Sequence, residues 1–218
     1  MNEGNATVKK IILVILMLII LGLIGFFYFK PTFTHTALPP AVMINTSNQP
    51  TLGNSNAKVH IVVFEDLKCA NCARFNNTLL PFIQKNYIDK GLAKYTMINL
   101  AFINGSLPAA NAARCVYDQN NALFFPYVEY IYAHQPPENQ NWATVPTMLN
   151  FASHVPGIDI NKLAACMVKS PYDQMIRDNL KEASRVMNHE VATPSVYING
   201  VVVKPLTQEQ IKTIMDAQ

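Results

Sequence analysis

Two cysteines separated by two residues stand where a predicted strand gives way to a predicted helix, and this feature constrains the fold most. The β-branched run Val59–Phe64 is typical of a buried strand. After Cys69, residues 70–86 carry apolar side chains at helical spacing, with an expected kink at Pro81. The cysteines therefore fall at the N-terminus of a helix that packs against a sheet, which predicts an α/β domain.

The rest of the chain predicts a mixed sheet with helices on both faces. A second strand is expected at residues 95–100, followed by a mostly helical block at 108–187 that includes an amphipathic helix at 173–187. The dipeptide Asn199-Gly200, between two β-branched runs, favours a hairpin, and a last helix is expected at 207–217. This element order predicts a central sheet flanked by helices, with the helical block as an insertion.

The motif Cys69-Ala70-Asn71-Cys72 has the arrangement that thiol chemistry needs. The free amide groups and the positive dipole end at a helix N-terminus favour a thiolate over a thiol, and Lys68 adds a positive charge. Helical spacing brings Cys72 back toward Cys69, so that one sulfur can attack a disulfide and the other can resolve the mixed disulfide. The context of the motif therefore favours a redox dithiol.

Two other interpretations of the motif are a zinc site and a static disulfide. A structural zinc site needs about four ligands, but the sequence has no second cysteine pair of this spacing and its histidines are scattered. A static disulfide in so short a loop at the start of a helix would be strained and exposed. We therefore expect no bound metal and no cofactor.

The other two cysteines, Cys115 and Cys166, both lie in the predicted helical block. In an oxidising compartment, these two cysteines would most simply pair with each other. A disulfide that closes a loop of about 50 residues is worth roughly 4 kcal/mol in the chain-entropy model. A structural disulfide is therefore favoured over two free thiols or a second redox relay.

Thr193-Pro194 is the second informative motif, because a proline at the start of a central strand removes a ladder hydrogen bond. A cis peptide bond here would make a tight turn that could lie beside the cysteines. The Thr193 backbone would then be free to pair with an extended substrate segment. Taken alone, the sequence favours an ordinary trans proline at the beginning of a strand.

An apolar segment precedes the predicted domain. Residues 11–29 number 19 and contain no charge, and a helix of this length spans roughly 28 Å, close to the thickness of a bilayer's hydrocarbon core. A cleaved signal peptide usually has a shorter apolar stretch followed by small residues, whereas this run ends in bulky side chains. Lys9 and Lys10 before the run, against Lys30 after it, favour an N-terminus in the cytoplasm. The segment is therefore interpreted as a retained signal anchor.

These observations divide the chain into four segments: residues 1–10 as a cytoplasmic N-terminus, 11–29 as a single-pass membrane helix, 30–56 as a proline-rich linker and 57–218 as the folded domain. The domain is expected in the periplasm or another extracytoplasmic space, anchored to the inner (cytoplasmic) membrane. The net charge of +3, without a clustered basic stripe, gives no indication of nucleic-acid binding.

The strand and cysteine motif at residues 62–72, together with residues 193–200, resembles the thioredoxin superfamily. The resemblance is to its DsbA-like branch of exported bacterial thiol–disulfide oxidoreductases. It covers about residues 57–218, including an insertion of the size found in the family. It implies a thioredoxin-like fold with an inserted helical subdomain.

The resemblance also implies roles for the site residues. Cys69 would be the exposed attacking sulfur and Cys72 the buried resolving sulfur. The bond before Pro194 would be cis, with Thr193 facing the disulfide and contacting the substrate. These four residues are the expected catalytic site.

The chain departs from the family pattern in two places. Ala70-Asn71 includes neither the histidine of strongly oxidising relatives nor the proline of reducing thioredoxins. The family's buried acid lies six residues before the first cysteine, where this chain has Val63. Glu65 is a possible proton relay for Cys72, although an exposed loop carboxylate is the favoured interpretation.

The function that follows from the resemblance is thiol–disulfide exchange with cysteine-containing exported proteins, most simply as an oxidase that a membrane redox partner recycles. Without the histidine, we expect a reduction potential less oxidising than that of the strongest family oxidants. The alternatives are a disulfide isomerase or reductase of the same fold. A copper chaperone that holds metal through Cys69 and Cys72 is an alternative of a different class.

Overall fold

The computed structural model describes residues 12–21 and 38–218. Residues 12–21 form a helix whose side chains are all exposed, and residues 38–218 form a separate unit. Within these two ranges, no helix has both the length and the apolar content needed to cross a bilayer. The remainder of the predicted membrane segment, residues 11 and 22–29, lies outside the described residues, as do the predicted cytoplasmic segment and residues 30–37.

Five strands form one mixed sheet in the order β1-β3-β2-β4-β5. The strands are β1 Thr51–Gly53, β2 Val59–Asp66, β3 Ala93–Leu100, β4 Ser195–Ile198 and β5 Val201–Val202. The central pair, β2 and β3, is parallel, and the other three pairs are antiparallel. The predicted mixed sheet is therefore confirmed, and β2 lies at its centre.

Eight α-helices accompany the sheet within residues 38–218. They are α1 Ala70–Thr78, α2 Leu80–Ile83, α3 Leu107–Gln119, α4 Phe124–His134, α5 Val145–Ser153, α6 Ile160–Lys169, α7 Asp173–Val186 and α8 Gln208–Asp216. Helices α3 to α7 form the predicted helical block, which the structure confirms. The single helix predicted at residues 70–86 is instead broken after Thr78 and ends in a π-helical turn at Gln84–Ile88. Pro81 explains the break, because it has no amide hydrogen to continue the hydrogen-bond ladder.

Strand β2 is covered on both faces, as its unbroken apolar run predicts. Ile61 and Val63 belong to the larger core, together with residues of α1, α3 and α4. Val62 and Phe64 belong to a smaller core on the opposite face, with Ala183 of α7. Because side chains alternate along a strand, every second residue of β2 faces the larger core.

The domain begins earlier than the predicted boundary at Ala57. Thr51–Gly53 of the predicted linker pair with β3, and residues 38–50, here called the N-terminal strap, also pack onto the domain. Val42 and Ile44 of the strap contact the smaller core. The strap has no regularly spaced apolar residues, and β1 is held by backbone hydrogen bonds that no side-chain pattern reveals. For these two reasons the sequence indicated a linker in a region that is folded.

The predicted hairpin at Asn199-Gly200 is confirmed. Asn199 has φ +46° and Gly200 has φ +83°, as the two central residues of a type I′ turn require. The strap crosses this turn, where the amide of Val42 donates to the Gly200 carbonyl at 2.9 Å. A Cβ atom at residue 200 would lie 2.3 Å from the Val42 carbonyl oxygen, so only glycine permits this approach.

Candidate active site

The two cysteines of the motif lie at the start of α1, directly after β2. Cys69 is the N-cap residue, and its carbonyl accepts the first helical hydrogen bond from the Ala73 amide at 3.1 Å. The Cys69 amide donates to the Asp66 carbonyl at 2.9 Å, which fixes the turn between strand and helix. Cys69 is 5% exposed and Cys72 is fully buried. Cys69 is therefore the more accessible of the two, although it is less exposed than the resemblance implied.

The surroundings of Cys69 favour its thiolate. Hydrogen bonds from the Cys72 thiol, from Thr193 and from the amides of Cys72 and Asn71 lower the pKa of Cys69 to about 6, although partial burial raises it. The backbone contribution arises because the first amides of α1 have no partner within the helix. At neutral pH Cys69 is therefore largely a thiolate, which is the nucleophilic form.

Cys72 has the opposite character. Complete burial is the largest cause of a strongly raised pKa, and the negative charges of Glu65 and Cys69 raise it further. Cys72 is therefore a protonated thiol when the pair is reduced. A group that must gain or lose a proton in so dry a place needs a neighbouring acid or base.

Glu65 is that neighbouring group, and its predicted position in an exposed loop was wrong. It lies on β2 with no exposed surface. Its carboxylate accepts hydrogen bonds from the Tyr95 hydroxyl at 2.8 Å and from the Asn76 side-chain amide at 2.5 Å. Burial raises the pKa of Glu65 to about 7, while hydrogen bonds from Tyr95, Tyr132 and Asn76 oppose that rise. The carboxyl group can therefore exchange a proton near neutral pH.

The alternation of side chains along β2 explains why Glu65 replaces the acid expected two residues earlier. Val63 and Glu65 are two positions apart, with one residue between them, and so face the same side of the sheet. That side is the one that Cys72 faces, since Val63 and Cys72 belong to the same core. The acid therefore lies two positions closer to the cysteines along the strand, and it keeps the same face of the sheet.

Thr193 and Pro194 lie beside Cys69. The Thr193–Pro194 peptide bond is cis, as the family resemblance implied, and not trans as the local sequence alone favoured. The Cys69 sulfur lies 3.5 Å from the Thr193 carbonyl oxygen. The proximity follows from the sheet, because β4 starts one residue after Pro194 and pairs Ser195 with Phe64 near the end of β2.

A shallow groove of about 340 Å³ runs from this loop along α1. Its apolar lining includes Phe75, Leu79, Pro194 and Leu206. Asn71 and Arg74 add polar groups to the lining of the same groove. The groove can accept an extended peptide segment whose cysteine reaches Cys69.

Asp66 and Lys68, which precede the cysteine motif, stabilise the loops around it. The Asp66 carboxylate accepts hydrogen bonds from the amides of Lys68, Phe102 and Ile103 and from the Ser106 hydroxyl. Burial raises the pKa of Asp66, and these hydrogen bonds oppose the rise. The buried Lys68 ammonium donates to the Asn104 carbonyl at 2.8 Å. Both side chains therefore join the segment before Cys69 to the loop after β3.

Glu138 is a site residue that the sequence analysis missed. It lies between α4 and α5, and its carboxylate accepts a hydrogen bond of 2.9 Å from the Ala70 amide, next to Cys69. The contact joins residues 68 positions apart. No local sequence pattern predicts this contact.

The other two cysteines lie in the helical block. Cys115 of α3 and Cys166 of α6 form a disulfide with an S–S distance of 2.05 Å. The structure therefore brings Cys69, Cys72 and the Thr193-Pro194 loop together and pairs the remaining cysteines with each other. Across residues 12–21 and 38–218, no three histidine, cysteine or acidic side chains are grouped as metal ligands would be.

Comparisons of the sequence with known proteins identify relatives of this chain. The family model described as Thioredoxin matches residues 45–217. The disulfide bond formation protein D of Bacillus subtilis is 31% identical over 172 residues, which cover 78% of this chain and 77% of that protein. The probable disulfide bond formation protein D of Bacillus anthracis is 32% identical over 167 residues, covering 75% of each.

Solved structures show the same likeness. The crystal structure of oxidised BdbD from Bacillus subtilis matches with a TM-score of 0.75 and 29% identity, over 83% of this chain and 98% of that chain. The crystal structure of Chlamydia trachomatis DsbA matches with a TM-score of 0.74 and 26% identity, over 82% and 96% of the two chains. The whole domain with its helical block is therefore shared with these proteins.

Proposed function

Because this chain belongs to the thioredoxin superfamily, as a DsbA-like thiol–disulfide oxidoreductase, we propose that it acts as an oxidase that forms disulfides in exported proteins. The observation that carries the proposal is the lowered pKa of Cys69 beside the buried Cys72. A stabilised thiolate favours the reduced state of the pair, and a pair that is easily reduced is an oxidant toward its substrates. The Bacillus relatives are named disulfide bond formation proteins, and their names support the same direction.

The proposed reaction starts from the Cys69–Cys72 disulfide. A substrate thiolate attacks the Cys69 sulfur, and the bond between the two cysteines breaks. The Cys72 sulfur leaves with the electron pair and receives a proton from Glu65. A second substrate thiolate then attacks the substrate sulfur of the mixed disulfide, which releases Cys69 as a thiolate. The substrate is oxidised to a disulfide, and the pair is reduced to a dithiol.

The Thr193-Pro194 loop and the groove along α1 serve as the substrate contact in this proposal. The loop lies against the Cys69 sulfur, and the groove continues from it along apolar side chains. An extended segment that flanks the substrate cysteine fits this arrangement, because backbone pairing gives affinity with little dependence on sequence.

The direction of the reaction is tested by the reduction potential and by the redox state in cells. The Cys69 pKa of about 6 lies between the values of about 3.5 for DsbA and about 7 for thioredoxin. We therefore expect a potential between about −270 and −120 mV, the values for thioredoxin and DsbA. Equilibration of the full-length protein with glutathione measures it.

Thiol trapping in intact cells distinguishes the alternatives. Alkylation should find the Cys69–Cys72 pair mostly oxidised, as an oxidase requires. A mostly reduced pair would show an isomerase or a reductase instead. A protein that copurifies with copper and does not reduce insulin disulfides would be a metallochaperone, the alternative of a different class.

The proton relay predicts a pH-dependent defect for Glu65→Gln. General acid–base catalysis contributes roughly 10²- to 10⁴-fold, and we expect attack on the Cys69–Cys72 disulfide at pH 6 to slow by about 10-fold or more. The protonated carboxyl group is the donor and its pKa is about 7. The wild-type advantage should therefore shrink as the pH rises above 7. Stopped-flow measurement of reduction by a small thiol between pH 5 and 9 gives the profile.

Stability measurements separate this role from a folding defect. The folded-state pKa of Glu65 is raised from its usual 4.5 to about 7. The wild type should therefore lose stability relative to Glu65→Gln as the pH rises through 7, and retain it below about 4.5. The matched control is Glu129→Gln, the same change on an exposed part of α4. Equal rates at all pH values in Glu65→Gln and wild type would remove Glu65 from the mechanism.

We further propose that residues 11–29 anchor the protein in the cytoplasmic membrane, with the domain outside the cytoplasm and a membrane redox partner that reoxidises Cys69 and Cys72. The uncharged run and the flanking lysines support the anchor. The exposed apolar side chains of residues 12–21 need a nonaqueous environment. Expressed with its own N-terminus, the protein should stay in membranes after an alkaline wash, and recovery in the soluble fraction would contradict the anchor.

A further inference from the structure

The carboxylate of Glu138 occupies the end of α1 that the Cys69 thiolate also uses. The Ala70 amide, which donates to Glu138 at 2.9 Å, belongs to the peptide unit that joins Ala70 to Cys69. The next two amides, of Asn71 and Cys72, lie at the same helix end and help to lower the pKa of Cys69. Two negative groups therefore share one helix N-terminus when the cysteine pair is reduced. Only Glu138 remains charged there when the pair forms a disulfide.

The presence of Glu138 at this helix N-terminus affects the reduced and the oxidised states of the cysteine pair differently. A carboxylate at a helix N-terminus is stabilising through the helix dipole. A thiolate next to it adds repulsion between like charges, which exists only in the reduced state. We propose that Glu138 is a positioning residue that holds the Ala70 amide and, through its charge, disfavours the Cys69 thiolate, so that the domain is a weaker oxidant than its helix alone would make it.

The other charged groups near Cys69 do not duplicate this effect. Glu65 and Cys72 lie on the buried side of the motif, among the residues of the larger core. Lys68 borders the same polar pocket as Glu138, but its ammonium donates to the Asn104 carbonyl. Lys68 and Glu138 form no ion pair among the described salt bridges of residues 38–218. Within residues 38–218, the charge of Glu138 is therefore not held in a salt bridge.

Glu138→Gln tests the proposal, because glutamine keeps an oxygen that can accept from the Ala70 amide and removes only the charge. The contact is at the surface, so solvent weakens the repulsion. We expect the equilibrium of the full-length protein with glutathione to shift about threefold toward the reduced protein. The absorbance titration of the Cys69 thiolate should move to lower pH. Both shifts should fade at about 1 M salt, where the Debye length is about 3 Å.

Two further variants make the outcome decisive. Glu129→Gln, which removes a charge elsewhere on the surface, should leave the potential unchanged. Glu138→Ala removes both the charge and the hydrogen-bond acceptor. If Glu138→Ala shifts the potential while Glu138→Gln does not, the contact only anchors a loop and the proposal is overturned. The equilibrium is measured on the isolated protein, so this outcome is independent of whether the protein acts as an oxidase in cells.

Discussion

Cys69→Ala is expected to abolish thiol–disulfide exchange, lowering the rate to that of the uncatalysed reaction. Cys69 is the cysteine of the pair with accessible surface and a lowered pKa, and the thiolate is the attacking and leaving species. Cys72 cannot replace it, because it is fully buried and its pKa is strongly raised. Oxidative refolding of a reduced model protein and reduction of insulin disulfides measure the two directions.

Cys72→Ala is the informative companion to this variant. It keeps the nucleophile but lacks the resolving sulfur, so it should form mixed disulfides with substrates and retain them. Denaturing gels without a reductant would show these species, and they should vanish with a reductant. Substantial exchange in Cys69→Ala, or an absence of mixed disulfides in Cys72→Ala, would contradict the assigned roles. The trapped species would also identify the substrates.

Removing the second disulfide is expected to lower stability by about 4 kcal/mol, because it closes a long loop in the unfolded chain. The bond connects Cys115 of α3 to Cys166 of α6, with a sequence separation of 51 residues. We expect the double variant Cys115→Ala with Cys166→Ala to unfold at a lower urea concentration. Its glutathione equilibrium at Cys69 and Cys72 should be unchanged.

The comparison with single variants gives the control. Cys115→Ala alone leaves Cys166 as a thiol, so it should lose the same cross-link and a similar amount of stability. If the double variant were as stable as the wild type, the bond would have no structural role. If instead it kept full stability but could not be reoxidised by its partner, the pair would be the second redox relay that the sequence left open.

The local pattern was enough to predict the elements that carry the chemistry. A β-branched run, a cysteine pair and helical spacing are all contained within residues 59–86, and the hairpin signal at Asn199-Gly200 is equally local. The helical block and the mixed sheet follow from periodicity and element order. These predictions hold because the residues that decide them are neighbours in sequence.

The features that the sequence did not reveal depend on contacts between distant residues. Glu65 was placed in a loop because the strand was ended at Phe64, while β2 continues through Asp66 and buries the carboxyl group against Tyr95 and Asn76. The Glu138 contact spans 68 positions. The cis bond before Pro194 lies in a loop that contacts Cys69, 124 positions away in the sequence, and a local pattern does not contain that contact.

The N-terminal strap has a mechanical consequence under the attachment through the N-terminus that is proposed above. Val42 is bonded at the hairpin turn, beyond Ile198, whereas Pro194 precedes the opposite end of β4. The four residues of this strand separate the two points by about 13 Å. Under that proposed attachment, tension along the upstream chain falls on the strap, where Leu38 packs on the larger core and Val42 is bonded to Gly200, before it reaches the loop beside Cys69. A force applied through the proposed attachment would therefore act on the strap and leave the geometry of the cysteine pair unchanged.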